Sequence, residues 1–155
     1  MPNKRDILLF YTLSFTWGIV YTIVGLFVLL YFVLFKYDKI SILIIAGRIC
    51  IRTDGKYWGG ISLGIVYIVD ARNSYRLHVH ELGHTVQHIM FGPLFIPLVA
   101  IPSVIRANLR KKYRKFLYDK NGKYIEYDSV WFEGQATRLG EKYFSETVIK
   151  FIGSD

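Results

Sequence analysis

The spacing of two histidines and one glutamate constrains the fold of this chain more than any other feature. His80, Glu81 and His84 form the pattern His-Glu-x-x-His. Residues four positions apart lie on one face of an α-helix, so both imidazoles can reach one Zn²⁺ ion at roughly 2.0–2.1 Å. The pattern therefore predicts a helix that carries a metal site.

The residues on either side of the motif predict where this helix begins and ends. Asn73 and Ser74 are favourable N-cap residues, and Gly92-Pro93 is a typical helix stop. No proline falls between Tyr75 and Phe91. We therefore expect a helix that runs from residue 75 to residue 91.

Glu81 is the candidate general base of this site. Its carboxylate would lie beside the metal, where it can accept a proton from a zinc-held water that attacks a carbonyl group. It can later deliver that proton to the leaving amine. The alternative is that His80 and His84 are exposed helix residues that bind no metal.

A second strong feature is an apolar N-terminal stretch. Ile7 to Phe35 contains no charged side chain, and as a helix it would be about 43 Å long against a hydrocarbon core of about 30 Å. A signal peptide would have a shorter apolar region and a small-residue cleavage site, but Lys36-Tyr37-Asp38-Lys39 follows. We therefore predict a single-pass membrane anchor over residues 1–36 and one folded domain over residues 37–155.

Charge and composition favour a membrane partner over nucleic acid. Lys and Arg number 20 against 12 Asp and Glu, and 52% of the residues are hydrophobic. A basic and apolar chain of this kind is suited to anionic headgroups. Lys36, Lys39, Arg48 and Arg52 after the apolar stretch outnumber the early cations, so the positive-inside rule places the domain on the cytoplasmic side.

Two apolar, β-branched runs precede the predicted metal helix. They extend from Ile40 to Ile51 and from Ile61 to Val69, and the turn signal Thr53-Asp54-Gly55-Lys56 separates them. This pattern predicts a hairpin. Gly59-Gly60 and Gly64 fit either an edge strand that pairs with an extended peptide or an ordinary sheet strand with a bulge.

An uncharged segment, residues 91–105, follows the predicted metal helix. Pro93, Pro97 and Pro102 make a second full span unfavourable, so the segment either dips into a membrane or covers the core. The basic stretch 106–123 comes next and suits either anionic headgroups or a solvated helix face. Its cations, balanced only by Asp119, are Arg106, Arg110, Lys111, Lys112, Arg114, Lys115, Lys120 and Lys123.

The C-terminal part predicts a tight turn and a last helix. Asn121-Gly122 lies between two aromatic runs, as in a two-residue hairpin. The apolar spacing from Ser129 to about Ile149 is that of an amphipathic helix with Asp128 or Ser129 as its cap.

Three segments of the chain carry a resemblance to a known family. They are His80-Glu81-Leu82-Gly83-His84, Gly92-Pro93-Leu94-Phe95-Ile96-Pro97 and Ile101-Pro102-Ser103. With them the chain resembles, from about Gly59 to Tyr143, a family of small membrane-attached bacterial proteins that look like minimal gluzincin metallopeptidases. The resemblance implies an α+β, zincin-like core with a short sheet, a zinc helix and a helix carrying a glutamate ligand. It implies that His80, His84 and Glu133 bind Zn²⁺ and that Glu81 is the general base.

The remaining acidic and histidine residues also favour Glu133 as third ligand. His88 lies eight residues beyond His80, about 12 Å along a helix, so it has a second-shell or surface role. Ala136 and Gly140 would form a small-residue seam that packs Glu133's helix closely against Gly83. Glu141 is the second choice, and a solvent-facing Glu133 is the alternative.

These features together predict a membrane-anchored zinc metallopeptidase that acts on a peptide or protein. The metzincin class is excluded by Val86 and Met90, and site-2 proteases by the lack of an Asn-Pro-Asp-Gly-like segment. The oxyanion donor is not placed, with Tyr124, Tyr127 and Tyr143 as candidates. Two alternatives are a zinc-binding membrane protein without turnover and a membrane-surface adaptor without metal.

Overall fold

Five α-helices surround one small sheet in the computed structural model, which describes residues 3–54, 59–70 and 75–152. The predicted α+β class is therefore confirmed. The helices are α1 (Lys4–Phe15), α2 (Ile19–Phe35), α3 (Tyr75–Phe91), α4 (Ile101–Lys112) and α5 (Trp131–Ile152). The strands are β1 (Ile40–Ile45), β2 (Arg48–Thr53), β3 (Gly60–Leu63) and β4 (Val66–Asp70).

The sheet has the order β1-β2-β4-β3. β1 and β2 are antiparallel, β2 and β4 are parallel, and β3 and β4 are antiparallel. β4 is buried along its whole length, which explains its uninterrupted apolar sequence. β3 is left at one edge, next to the N-terminal half of α3.

The predicted hairpin of two long strands is wrong. Each run instead folds back on itself, and the first turn comes at Ala46-Gly47. Both residues have positive φ, 53° and 74°, as in a type I′ turn. Alanine rarely adopts this conformation, so the sequence carries only a weak turn signal there. The predicted turn over residues 53–56 lies partly outside the described residues.

The predicted continuous N-terminal span is also wrong. The apolar stretch forms α1 and α2, which are bent by 96° relative to each other. Within the described ranges no single helix is long and apolar enough to cross a bilayer, and α1 with α2 meets the length and composition only as a pair. With 17 residues α2 is about 25 Å long.

The bend is held by a buried chain of hydrogen bonds. Thr22 Oγ1 donates to the Ser14 carbonyl at 2.9 Å and lies 3.3 Å from Nε2 of His88 on α3. His88 is fully buried, and burial lowers its pKa to about 4, so its imidazole is neutral. The predicted surface role of His88 is therefore wrong. Its ring anchors the helix pair to α3.

α3 has the predicted limits, and α5 packs along it at very short range. A Cβ atom on Gly83 would overlap the carbonyl oxygen of Ala136, and one on Gly140 would overlap that of Val79. The predicted small-residue seam is confirmed. The proposed N-cap residues of α3, at 73 and 74, lie outside the described residues. α5 begins after Val130, so the predicted cap at 128 or 129 was placed too early.

The segment 92–112 runs as a 3₁₀ turn, a π turn and then α4. Pro93, Pro97 and Pro102 each occupy the first turn of one of these pieces, where a missing N–H costs little. Phe95 and Val99 are buried against Phe132 of α5. Residues 91–105 therefore cover the core on one side.

Two cations of the basic stretch have structural partners. Arg106 donates to the carbonyls of Glu126 and Tyr127, and Arg110 donates to those of Phe116 and Ile125. They tie the segment after α4 to the helix. The predicted turn at Asn121-Gly122 is present, although the strands beside it form only one isolated bridge between Tyr118 and Tyr124.

We predict that Gly83→Ala destabilises the fold by about 3 kcal/mol, because a methyl group cannot fit against the Ala136 carbonyl. Glu146→Ala, at an exposed position of α5, is the control and should stay within about 0.5 kcal/mol of wild type. Urea unfolding measures both. Equal stability of Gly83→Ala and wild type would show that the helices can separate without cost.

Candidate metal centre

Three side chains from two helices converge on one point. His80 and His84 lie on one face of α3, and Glu133 lies in the first turn of α5. Nε2 of His80 is 3.1 Å and Nε2 of His84 is 3.2 Å from Oε2 of Glu133. All three candidate ligand atoms lie within 4.8 Å of one another. The cluster could hold a metal ion.

The spacing of these atoms fits a small tetrahedral ion. Ligand atoms about 2.0–2.1 Å from a tetrahedral centre are about 3.3 Å apart. The two nitrogen–oxygen distances in the cluster, 3.1 and 3.2 Å, are close to this value. Two imidazole nitrogens and one carboxylate oxygen leave a fourth position open, which is the arrangement of catalytic zinc sites.

The hydrogen bonds of Gln87 fix the tautomer of His84. Gln87 Nε2 donates to the carbonyl of Phe132 and to Gln135 Oε1, each at 2.8 Å. Its Oε1 therefore faces Nδ1 of His84 at 2.7 Å and accepts a hydrogen bond from the Nδ1–H group. In a neutral His84 the other nitrogen, Nε2, then carries a lone pair.

That lone pair points at a second acceptor. Nε2 of His84 and Oε2 of Glu133 would repel each other across 3.2 Å unless a positive charge lies between them. Either a metal ion or an additional proton on His84 supplies it. The donor set of two imidazoles and a carboxylate is the one that Zn²⁺ takes in peptidases, which favours the metal.

The second carboxylate oxygen of Glu133, Oε1, is buried without a hydrogen-bond partner of acceptable geometry among the described residues. The Glu133 side chain is 0% exposed. A buried carboxylate without full hydrogen bonding is costly unless a cation neutralises it. The unpartnered oxygen therefore agrees with a metal ligand rather than with a purely structural glutamate.

The pKa shifts of His84 and Glu133 agree with a positive charge beside an ionised carboxylate. Burial alone lowers the pKa of His84, but its hydrogen bond with Glu133 and the charges of Glu81 and Glu133 raise it above the ordinary value. Burial raises the pKa of Glu133, yet the hydrogen bonds from His80 and His84 hold it well below its usual range. The site thus favours an ionised Glu133 and a positive charge beside it.

His80 is oriented from the other side of its ring. Its Nδ1 lies 2.9 Å from Oγ1 of Thr137, one turn after Glu133 on α5. Both histidines therefore have a fixed partner on the nitrogen that faces away from the cluster. Such outer contacts orient metal-binding imidazoles and strengthen metal affinity.

Glu81 lies beside the cluster but outside it. The hydroxyl of Ser62 on β3 lies 2.7 Å from the backbone carbonyl oxygen of Glu81 and 2.7 Å from its Oε2, and it can donate a hydrogen bond to either. Gly60 leaves room for this carboxylate, since a Cβ atom at that position would lie 2.6 Å from Glu81 Oε1 and would displace it. β3 therefore holds the second carboxylate close to the metal cluster.

A cavity of about 850 Å³ opens over the cluster. Glu81, His80 and His84 line its floor, and the edge strand β3 and the segment 99–107 form two of its walls. Glu141 also lines it but does not belong to the cluster of close ligand atoms. The cavity can therefore bring a substrate to the cluster and to Glu81 together.

Of the three candidate tyrosines, Tyr127 lies at the site. Its ring centroid is 6.2 Å from that of His80, and it lines the cavity. Burial, followed by the charge of Glu133, raises its pKa to about 12, so it keeps its proton. Tyr124 instead accepts a hydrogen bond from Arg110, and Tyr143 is exposed on α5.

Sequence reasoning missed Gln87, Thr137 and Ser62. Gln87 lies three residues after His84, and Thr137 lies four residues after Glu133, so helical spacing could have found both. Ser62 carries no comparable signal, because its contact with Glu81 depends on how the edge strand packs on α3.

Comparisons of this chain with protein-family models, with curated proteins and with solved structures find no match.

We predict that Glu133→Ala lowers zinc affinity at least about 100-fold, because it removes one ligand and leaves the two histidines. Glu141→Ala is the matched control, since it removes a carboxylate from the same cavity and the same helix. Its affinity should equal that of wild type. Zinc titration against a chromogenic chelator measures both variants, and equal affinities would exclude Glu133 as a ligand.

Proposed function

We propose that this protein is a membrane-attached, zinc-dependent peptidase of the gluzincin type. His80, His84 and Glu133 hold the zinc ion, and Glu81 is the general base. The observation that carries the proposal is the convergence of two imidazole nitrogens and a buried carboxylate oxygen next to a second buried carboxylate. A structural salt-bridge network needs no second buried carboxylate at the floor of a cavity.

The roles of the side chains follow from their positions. Zinc, when bound, acts as a Lewis acid and lowers the pKa of a coordinated water toward neutrality. Glu81 is one residue from a ligand and faces the same cavity, so its carboxylate can take up a proton there and return it to the leaving amine. Glu133 stays ionised and serves only as a ligand.

Ser62 positions the base. Its hydroxyl bridges the backbone carbonyl and Oε2 of Glu81, which leaves Oε1 directed toward Gly60 and the cavity. A carboxylate held by one oxygen keeps the other free to accept a proton. This arrangement fixes the orientation of Glu81 before substrate enters.

An extended peptide fits the walls of the cavity. Gly59, Gly60, Ile61 and Ser62 line it, and β3 is the edge strand of the sheet. An edge strand can bind a peptide as an additional strand through its backbone groups. The volume of about 850 Å³ holds several residues of such a peptide.

A second candidate function is a zinc-binding membrane protein without turnover. One observation favours it: of the three candidate tyrosines only Tyr127 lines the cavity, and burial raises its pKa to about 12, which makes its hydroxyl a weak hydrogen-bond donor to an oxyanion. Zinc would then have a structural role, and no peptide would be cleaved.

We predict that Glu81→Gln retains one zinc per chain, because all three ligands remain, and lowers peptide hydrolysis at least about 100-fold by removing the proton acceptor. Metal analysis and cleavage of a peptide library measure the two properties. Glu141→Gln is the control and should keep both. Equal hydrolysis by Glu81→Gln and wild type would disprove the mechanism, and a wild type that binds zinc but cleaves nothing would support the second candidate.

A further inference from the structure

The segment 92–105 has no polar face. Its inward residues Phe95 and Val99 are buried against α5. Its outward residues are just as apolar and follow the helical steps of four, three and four. They are Leu94, Leu98, Ile101 and Ile105, with Val104 beside them, and each is between 41 and 57% exposed. We call these five residues the apolar face.

Such an arrangement is unusual for a surface exposed to water. A surface helix of a soluble protein turns polar residues outward, whereas a segment apolar on both sides is covered by protein or by lipid. Ser103 is the only polar side chain from 92 to 105, and it faces the cavity. The outward side therefore needs an apolar partner.

The charges next to the apolar face identify that partner. Exposed lysines follow it along the chain, beginning about 10 Å beyond Ile105 on α4. We call Lys111, Lys112, Lys115, Lys120 and Lys123 the lysine cluster. No acidic residue occurs from 82 to 118. Apolar side chains beside lysines match a bilayer whose surface carries anionic lipids.

Aromatic residues between the lysines fit the same surface. Tyr113, Phe116, Tyr118 and Tyr124 are each between 38 and 48% exposed. Tyrosine is enriched where hydrocarbon meets headgroups, because its ring is apolar and its hydroxyl is polar. Protein–protein interfaces are also rich in aromatic residues but are depleted in lysine, so the lysines favour lipid over a protein partner.

The apolar face continues into the exposed side of the N-terminal helices. A Cβ atom on Gly92, where the segment begins, would overlap the indole of Trp17 at the bend between α1 and α2. Trp17 is half exposed, and α2 beyond it presents Val20, Phe27 and Leu30 to the outside. The two apolar surfaces therefore meet at this contact.

The same segment forms a wall of the cavity. Val99, Ala100, Ser103 and Ala107 face the cavity, and Val104 both lines it and is half exposed. Anything that covers the apolar face therefore lies at the edge of the cavity over the metal cluster.

We propose that the apolar face is inserted at the boundary between headgroups and acyl chains of an anionic lipid bilayer, with the lysine cluster at the headgroups. The cavity over the metal cluster then opens at the membrane surface. Its substrates are then peptide segments that lie in or on the membrane. This statement about substrates rests on the proposed peptidase function, whereas the contact with lipid does not.

The lipid contact can be tested by depth-dependent quenching. Cys50 is buried, so an environment-sensitive maleimide dye labels a new exposed cysteine selectively. The labelled variants are Leu98→Cys and Ile105→Cys. Glu146→Cys is the control, because it lies about 21 Å along α5 from Phe132, which packs against the segment. Each full-length chain is reconstituted in vesicles that contain phosphatidylserine and lipids with a nitroxide on the acyl chain.

Labels at 98 and 105 should emit at shorter wavelength and lose fluorescence to the nitroxide, while the label at 146 should do neither. Labels at 98 and 105 that behave like the one at 146 in vesicle-bound protein would overturn the proposal. Zinc content is measured on the same samples. A protein that contains no zinc would contradict the proposed peptidase function, but it would leave the quenching test of the lipid contact valid.

The substrate statement is tested with one cleaved peptide in two forms, free in solution and anchored to vesicles through a palmitoyl chain. Replacing Leu98 and Ile105 by glutamate should lower cleavage of the anchored form about tenfold, because apolar contact with lipid is lost. Cleavage of the free form should not change. An equal effect on both forms, or none on either, would overturn it.

Discussion

The close approach of α3 and α5 is the constraint on which the rest of the structure depends. The two helices pack where Gly83 meets the Ala136 carbonyl and Gly140 meets that of Val79. Larger residues at these points would hold the helices apart. Glu133 has a short side chain, and metal bonds tolerate deviations of only about 0.2 Å. The seam therefore decides whether the carboxylate of α5 reaches the two imidazoles of α3.

That approach creates an electrostatic conflict at the cluster, which a bound cation would relieve. It buries Glu133 and Glu81 close together and directs the lone pair of His84 at a carboxylate oxygen. Unpaired buried charges cost several kcal/mol each. A divalent cation at the cluster would remove both the repulsion and the unpaired charge, and in the proposed function Glu81 is then the carboxylate that transfers protons. The hydrogen bonds of Gln87 and Thr137 hold the two imidazoles in orientations that suit such a cation.

The parts of the fold that depend on local patterns could be predicted from the sequence. The limits of α3 follow from the absence of proline between Tyr75 and Phe91 and from Gly92-Pro93, and the seam follows from small residues at helical spacing. The parts that depend on distant contacts could not. α1 and α2 bend between Phe15 and Ile19, and the bend is held by His88, 66 residues beyond its partner Thr22. Gly18 lies at the bend, but a single glycine in an apolar stretch does not predict that contact. The turn at Ala46-Gly47 places alanine at positive φ, which propensity disfavours, so two short strands were predicted as one.

In the proposed function, His80, His84 and Glu133 bind one zinc ion together. X-ray absorption spectroscopy of the full-length chain, loaded with one equivalent of zinc, tests it most directly. We expect four nitrogen or oxygen ligands at about 2.0–2.1 Å, with the multiple-scattering signature of two imidazoles. Six oxygen ligands without imidazole scattering, or zinc that is lost on gel filtration, would contradict the claim.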